Sequence, residues 1–293
     1  MNILIQHNFS SGLGDFLIAM SEYMTYCKKL KDIGYKINLY VNLQNNKYIN
    51  FPSKFMNKIF DQETLSFFDE IIEDYSGINH NNNYKEYRYW KSAHEPQFSG
   101  VHRWDIFIEN KEPPYLQYPV LSTLHLLLTQ IINENNIVYP KFNRDIENKA
   151  RIFLQQFGIY NFLQVRVEDG KDCIANKDFI DKIQQLINNN EIFHIGTNSK
   201  SIFDIFQSHP KTLFYPFRQF ETIGNHHNVG HRVNRIFNND MLEERFLDTV
   251  IEMVSIKHAN KIYHYSDYTW PSSFLFYGSL VSKKRPIDVK IEI

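Results

Sequence analysis

Only 2 of the 293 residues are cysteine, Cys27 and Cys173, too few for a disulfide scaffold or a cysteine-based zinc site. Both are expected to be small buried apolar residues. Charge of one sign is not in excess: 32 basic and 33 acidic residues leave a net charge of -1. That balance argues against general binding to nucleic acid, though not against a local basic pocket. Long apolar runs are missing too. The most apolar, Leu121 to Ile132, is interrupted by His125, Thr129 and Gln130, so no membrane span is expected. Met1 to His7 has no basic leader and soon meets a Ser/Gly turn, which reads as a first strand and not as a signal peptide. These absences place the chain, as an expectation, in the cytosol.

What is present is ordinary for a globular protein: 43% hydrophobic and 22% charged residues rule against a disordered or fibrous chain. Aromatic residues are plentiful, with 24 Phe and 18 Tyr. The length suits two domains of roughly 140 residues each. The expected boundary lies near Pro140, giving domains 1–140 and 141–293.

Asn2 to His7 reads as a strand, followed by the turn Asn8-Phe9-Ser10-Ser11-Gly12-Leu13-Gly14-Asp15 and a helix to about Leu30. Phe16, Met20, Tyr23, Met24 and Cys27 fall on one face of that helix. Lys36 to Val41 is a second strand, so the chain opens on a β-loop-α-β unit whose loop, with Gly12 and Gly14, lets backbone amides approach a ligand. Asp15 has two readings, an N-cap worth roughly 1 kcal/mol or a carboxylate able to act as general base. The Gly-x-Gly lacks the third glycine and the distant acidic residue of a dinucleotide fingerprint. Short helices and a strand near Ile71-Ile72 follow. Gly77 to Pro119 has no clear periodicity but carries Trp90, His94, Glu95, His102, Arg103, Trp104 and Asp105, an aromatic and carboxylate mixture that suits a sugar ring or merely packs a loop.

Leu121 to Ile132 reads as a buried helix and Asn143 to Phe157 as an amphipathic one with Ile152, Leu154 and Phe157 as core. Strands are then expected at 162–167, 191–195, 212–215 and 261–264, and helices at 177–188, 199–207, 242–258 and 272–281. This alternation implies a parallel sheet with helices on both faces, so the fold class is α/β with two Rossmann-like halves and a cleft between them.

Arg166 stands out. A guanidinium near the carboxyl end of a central strand cannot shed its proton and needs an anion or acceptor, and ligands bind at such strand ends. It is either a diphosphate contact oriented by Asp169 or half of an internal pair with Glu168 or Asp169. The other strand ends carry Thr197-Asn198 and Ser266-Asp267, followed by Ser272-Ser273-Phe274 at a helix start, where hydroxyls and free amides favour an anion. His227 and His231 are four apart, but Asn228 and Gly230 disfavour a helix and no carboxylate lies close, so no metal is expected. Lys283, Lys284 and Arg285 read as a solvated face, with a membrane-surface contact as the sharper option.

Gly12-Leu13-Gly14-Asp15, Gln164-Val165-Arg166-Val167-Glu168-Asp169 as a variant of His-x-Arg-x-x-Asp, and Val250-Ile251-Glu252-Met253 through Ser272-Ser273-Phe274 together resemble the α-1,2/α-1,6/protein-O-fucosyltransferase superfamily, nearest in pattern to rhizobial nodulation fucosyltransferases. The resemblance implies a GT-B fold with an acceptor half followed by a GDP-fucose half, and inverting transfer to a glycan hydroxyl without metal or cofactor. It implies a donor diphosphate on Arg166, phosphate contacts at Ser272 and Ser273, and a base or phosphate contact through His231, Arg232 or Arg235. Gln164 stands where the motif has His, and Val167 where it often has a second Arg. The chemistry leaves Asp15, Glu95 and Asp105 as candidate bases. The Gly-Leu-Gly-Asp opening also occurs in heptosyltransferase-like enzymes with an adenine-linked donor, and a non-catalytic glycan- or nucleotide-binding module is the third expectation.

Overall fold

The run Asn2–His7 forms strand β1 and leads into helix α1, Leu13–Asp32. A computed structural model of the chain describes residues 2–7, 13–32, 38–42, 54–68, 70–72, 84–90, 103–109, 137–166, 177–188, 191–215, 239–266 and 272–289. Helix α1 buries Leu13, Leu17, Met20 and Met24, steps of three and four that make one face. Its buried Ser21 and Thr25 hydroxyls donate to Leu17 O and Ser21 O, so no polar cost accompanies their burial. Phe16, Tyr23 and Cys27 have side chains outside the described set.

The chain divides into two compact units, Met1–Asn143 and Arg144–Ile293. The first continues with β2 (Asn38–Asn42), α2 (Lys54–Ile59), α3 (Gln62–Leu65), β3 (Glu70–Ile72), β4 (Tyr84–Trp90) and β5 (Arg103–Glu109). Its sheet order is β3-β2-β1-β5-β4. Strands β1, β2 and β3 are parallel, whereas β5 runs antiparallel to both β1 and β4. The expectation of a wholly parallel sheet in this half is therefore corrected. Two strands lie inside the aromatic stretch that showed no periodicity, and β5 enters beside β1 in the reverse direction. The expected helix at Leu121 to Ile132 lies outside the described residues.

The second unit contains α4 (Arg144–Gln155), β6 (Tyr160–Arg166), α5 (Lys177–Asn188), β7 (Ile192–Thr197), α6 (Lys200–Phe206), β8 (Thr212–Leu213), α7 (Asn239–His258), β9 (Ile262–Ser266), α8 (Ser273–Ser282) and β10 (Ile287–Asp288). Every pairing in its sheet, ordered β10-β9-β6-β7-β8, is parallel. Helix α4 buries Ile146, Ala150 and Leu154, while Ile152 is 59% exposed, which corrects the expected core. The reason is angular. Residues 146, 150 and 154 are four apart and share a stripe, whereas 152 lies about 200° from 150 around the helix.

The faces of this sheet differ in kind. Leu163 and Val165 of β6, Phe193 and Ile195 of β7 and Tyr263 and Tyr265 of β9 belong to one apolar cluster with Phe179, Ile183 and Ile187 of α5 and with α6. Each such side chain contributes roughly 1.5–3 kcal/mol of burial energy, as an upper bound. The opposite face carries α7, which packs against α4 and α8. Tyr160 donates its buried hydroxyl to Ser255 O of α7 at 2.6 Å, and burial pushes the phenol pKa up. At the amino end of β6, buried Asn161 accepts from Lys261 N at 3.1 Å and donates to Glu191, tying three strands together.

Candidate functional site

The chain leaves β6 to build β7 and β8 on one side, then builds β9 and β10 on the other, so the order reverses at the boundary between β6 and β9. Open α/β sheets bind ligands outside the carboxyl ends of their strands at such a reversal. Register makes Arg166, the last residue of β6, the direct neighbour of Ser266, the last residue of β9. Gln164 likewise pairs with His264 on one side and Gly196 on the other. Side chains alternate along a strand, so Gln164 and Arg166 share the face opposite the apolar cluster. Arg166 is half-buried at the strand end and is not sealed in the interior.

Ser272, the N-cap of α8, closes the other side of this end. Its hydroxyl oxygen accepts from Leu275 N at 3.3 Å, and its proton goes to Gln164 Oε1 at 2.7 Å. Ser272 is thus a cap, as one reading of the sequence had it, and its hydroxyl also reaches β6. With the hydroxyl so engaged, this helix start offers an anion its backbone: the first amides of a helix, here those of Ser273 and Phe274, have no intrahelical acceptor. Phe274 is half-buried. Thr197 ends β7, but its register partner is Val165, which puts it on the apolar face, and its hydroxyl oxygen accepts from Ser199 N at 3.0 Å. The two-residue period therefore separates Thr197 from Arg166. Asn198 follows in the same loop.

Glu252 was present in the sequence pattern but not singled out. It is a half-buried carboxylate on α7, flanked by buried Val250, Ile251, Met253 and Val254. Gly196 lets it sit close to the sheet: a Cβ at 196 would collide with Glu252 Oε1 and come within 2.7 Å of Phe162 Cζ. A lone acid among four buried apolar helical neighbours is the sequence signal that could have found it. Among the described residues this part of the sheet carries a guanidinium, a neutral amide, the first amides of α8 and a carboxylate. Donors of that kind can take a diphosphate, and the carboxylate can take N–H groups.

In the first unit, Asp15 is the third residue of α1 and not its cap, because Leu13 and Gly14 are already helical and buried. Its place in the first turn still favours a negative charge. Asp105 pairs with Gln6 near the carboxyl end of β1. Glu95, Gly12, Asp169, His231 and Arg232 lie outside the described residues. Among the described residues no three His, Cys, Asp or Glu side chains are grouped to hold a metal ion, and no helix is long and apolar enough to cross a membrane.

Among solved structures the chain is similar to NodZ alpha-1,6-fucosyltransferase co-crystallized with GDP, at 12% identity and TM-score 0.50 over 95% of this chain and 91% of that one. The fold is fucosyltransferase-like. Fucosyltransferase NodZ from Bradyrhizobium also matches, at 12% identity and TM-score 0.49 over 95% of this chain and 92% of that one. No family model matches the sequence, and no curated protein matches it.

Proposed function

We propose that this chain is a glycosyltransferase of GT-B type that moves fucose from GDP-fucose to a glycan hydroxyl with inversion, using no metal. The observation that carries the reading is the convergence of Arg166, Gln164 and the start of α8 at the strand-order reversal of an all-parallel sheet. A fold shared with a fucosyltransferase co-crystallized with GDP supports it. In this reading the second unit holds the donor and the first holds the acceptor.

The acceptor oxygen attacks the anomeric carbon from the face opposite the diphosphate. The bond between that carbon and the phosphate oxygen breaks, and GDP departs with the electron pair. Arg166 and the amides of Ser273 and Phe274 stabilise the charge that develops on the departing diphosphate. The acceptor proton passes to a carboxylate, for which Asp15, Glu95 and Asp105 are the candidates. Glu252 supplies an acceptor suited to a purine edge that presents N–H groups.

The test is a panel of GDP, UDP and ADP on the protein and on Arg166→Ala. GDP is expected to raise the melting temperature and the other two are not. In the variant the dissociation constant for GDP should rise roughly 10- to 100-fold, as for loss of a charge-assisted contact, and transfer should stop. Unchanged GDP affinity in Arg166→Ala would remove the site. Stabilisation by ADP alone would move the assignment to a heptosyltransferase-like donor, and GDP binding without donor hydrolysis or transfer would leave a binding module.

A further inference from the structure

We propose that Gln164 contacts the ligand at this strand end through its side-chain NH2, and that Ser272 fixes which way the amide faces. The proposal rests on the nucleotide-diphosphate reading of the same site and names a contact within it.

The hydroxyl of Ser272 has one proton. As the cap of α8 its oxygen accepts from Leu275 N, and the proton is donated to Gln164 Oε1 at 2.7 Å. A primary amide whose oxygen is held this way must turn its two N–H bonds away from the serine. Among the described residues the bond to Ser272 is the one hydrogen bond of this side chain.

Its surroundings make that orientation consequential. Phe162, Leu163 and Val165 are fully buried, while Gln164, two residues before the end of the strand, is only half-buried. Its two register neighbours are Gly196, over which Glu252 and Phe162 pack, and the buried His264. Arg166 lies on the same face, roughly 7 Å further along the strand. The amide, the guanidinium and the first amides of α8 thus form a row of donors without an intervening acid on β6 itself. Glu252, which packs over Gly196, is the acid on the neighbouring helix. An anionic oxygen such as that of a phosphate is the partner this row selects.

The experiment is a calorimetric titration of GDP into the full-length protein and into Gln164→Glu, Gln164→Ala and Ser272→Ala. Gln164→Glu keeps the size of the side chain and the oxygen that accepts from Ser272, but replaces the donor by a negative charge. Its melting temperature without nucleotide should stay at the wild-type value while the dissociation constant for GDP rises about tenfold or more. Ser272→Ala frees the amide to rotate and should weaken GDP roughly threefold. If the carboxylate disturbs folding, Gln164→Ala gives the same comparison without a charge, at a loss of roughly fivefold. Equal GDP affinity in wild type and in the Gln164 variants would overturn the contact and leave the diphosphate reading intact. A wild-type protein that binds no nucleoside diphosphate would overturn both.

Discussion

At the scale of single residues, the site is a set of groups that would each be unremarkable elsewhere. Arg166 was legible because a cation ending an apolar run has few reasons to be there, and Ser272 because a serine before an apolar helical run is a cap signal. Glu252 was not legible as a neighbour of the sheet, since only the packing of α7 over Gly196 brings them together. Gly196 is accordingly the residue at which the sheet tolerates no side chain. Gly196→Ala should lower stability by roughly 1–3 kcal/mol, because both Phe162 and Glu252 must give way in a packed interior. Urea denaturation measures this. A variant as stable as wild type would mean that α7 can shift without cost, and Glu252 would lose its seat.

Elements show why patterns of charge and apolarity were read correctly in some places and not others. Helix α5 was readable to its ends because its apolar residues recur at helical spacing between polar ones. In α4 the same rule picks Ile146, Ala150 and Leu154, and Ile152 misled because an apolar residue next to a stripe is not part of it. Strands β4 and β5 were hidden because Tyr84–Trp90 interleaves aromatic with charged residues inside a region rich in Asn and His. The two-residue β10 is too short to carry a period.

Helix α4 also contributes an ion-pair link with a pH signature. Glu147 near its start meets Lys257 at 2.9 Å and His258 at 3.6 Å in the last turn of α7. The neighbouring His258, as the largest influence, holds its carboxyl below the usual carboxylate range; burial opposes it, and the hydrogen bond from Lys257 adds to the lowering. Because the folded value is the lower one, the stabilisation is present above the unfolded carboxyl pKa of about 4.3 and is lost as pH falls through the folded value. Glu147→Gln should therefore cost about 0.5–1 kcal/mol at pH 7 in low salt. The gap between variant and wild type should close as denaturation is measured at pH values falling below about 4. A gap that persists in acid would assign the loss to packing instead.

At the scale of the whole molecule, strand and helix alternation in residues 144–293 leads directly to a parallel sheet, but not to its order. That order, β10-β9-β6-β7-β8, is set by which side of β6 each crossover returns to, a tertiary choice invisible in local periodicity. It is also what gives Arg166 meaning, since ligands of open α/β sheets bind outside the carboxyl ends of the strands at such a reversal. In residues 1–143 the alternation misleads, as β5 joins β1 antiparallel and pairs Asp105 with Gln6.

The most direct measurement is a crystal structure of the chain with GDP. The account predicts the diphosphate within hydrogen-bond reach of the Arg166 guanidinium, the Gln164 amide nitrogen and the backbone at the start of α8. A nucleotide bound elsewhere, with Arg166 turned to a protein carboxylate and away from it, would contradict the account.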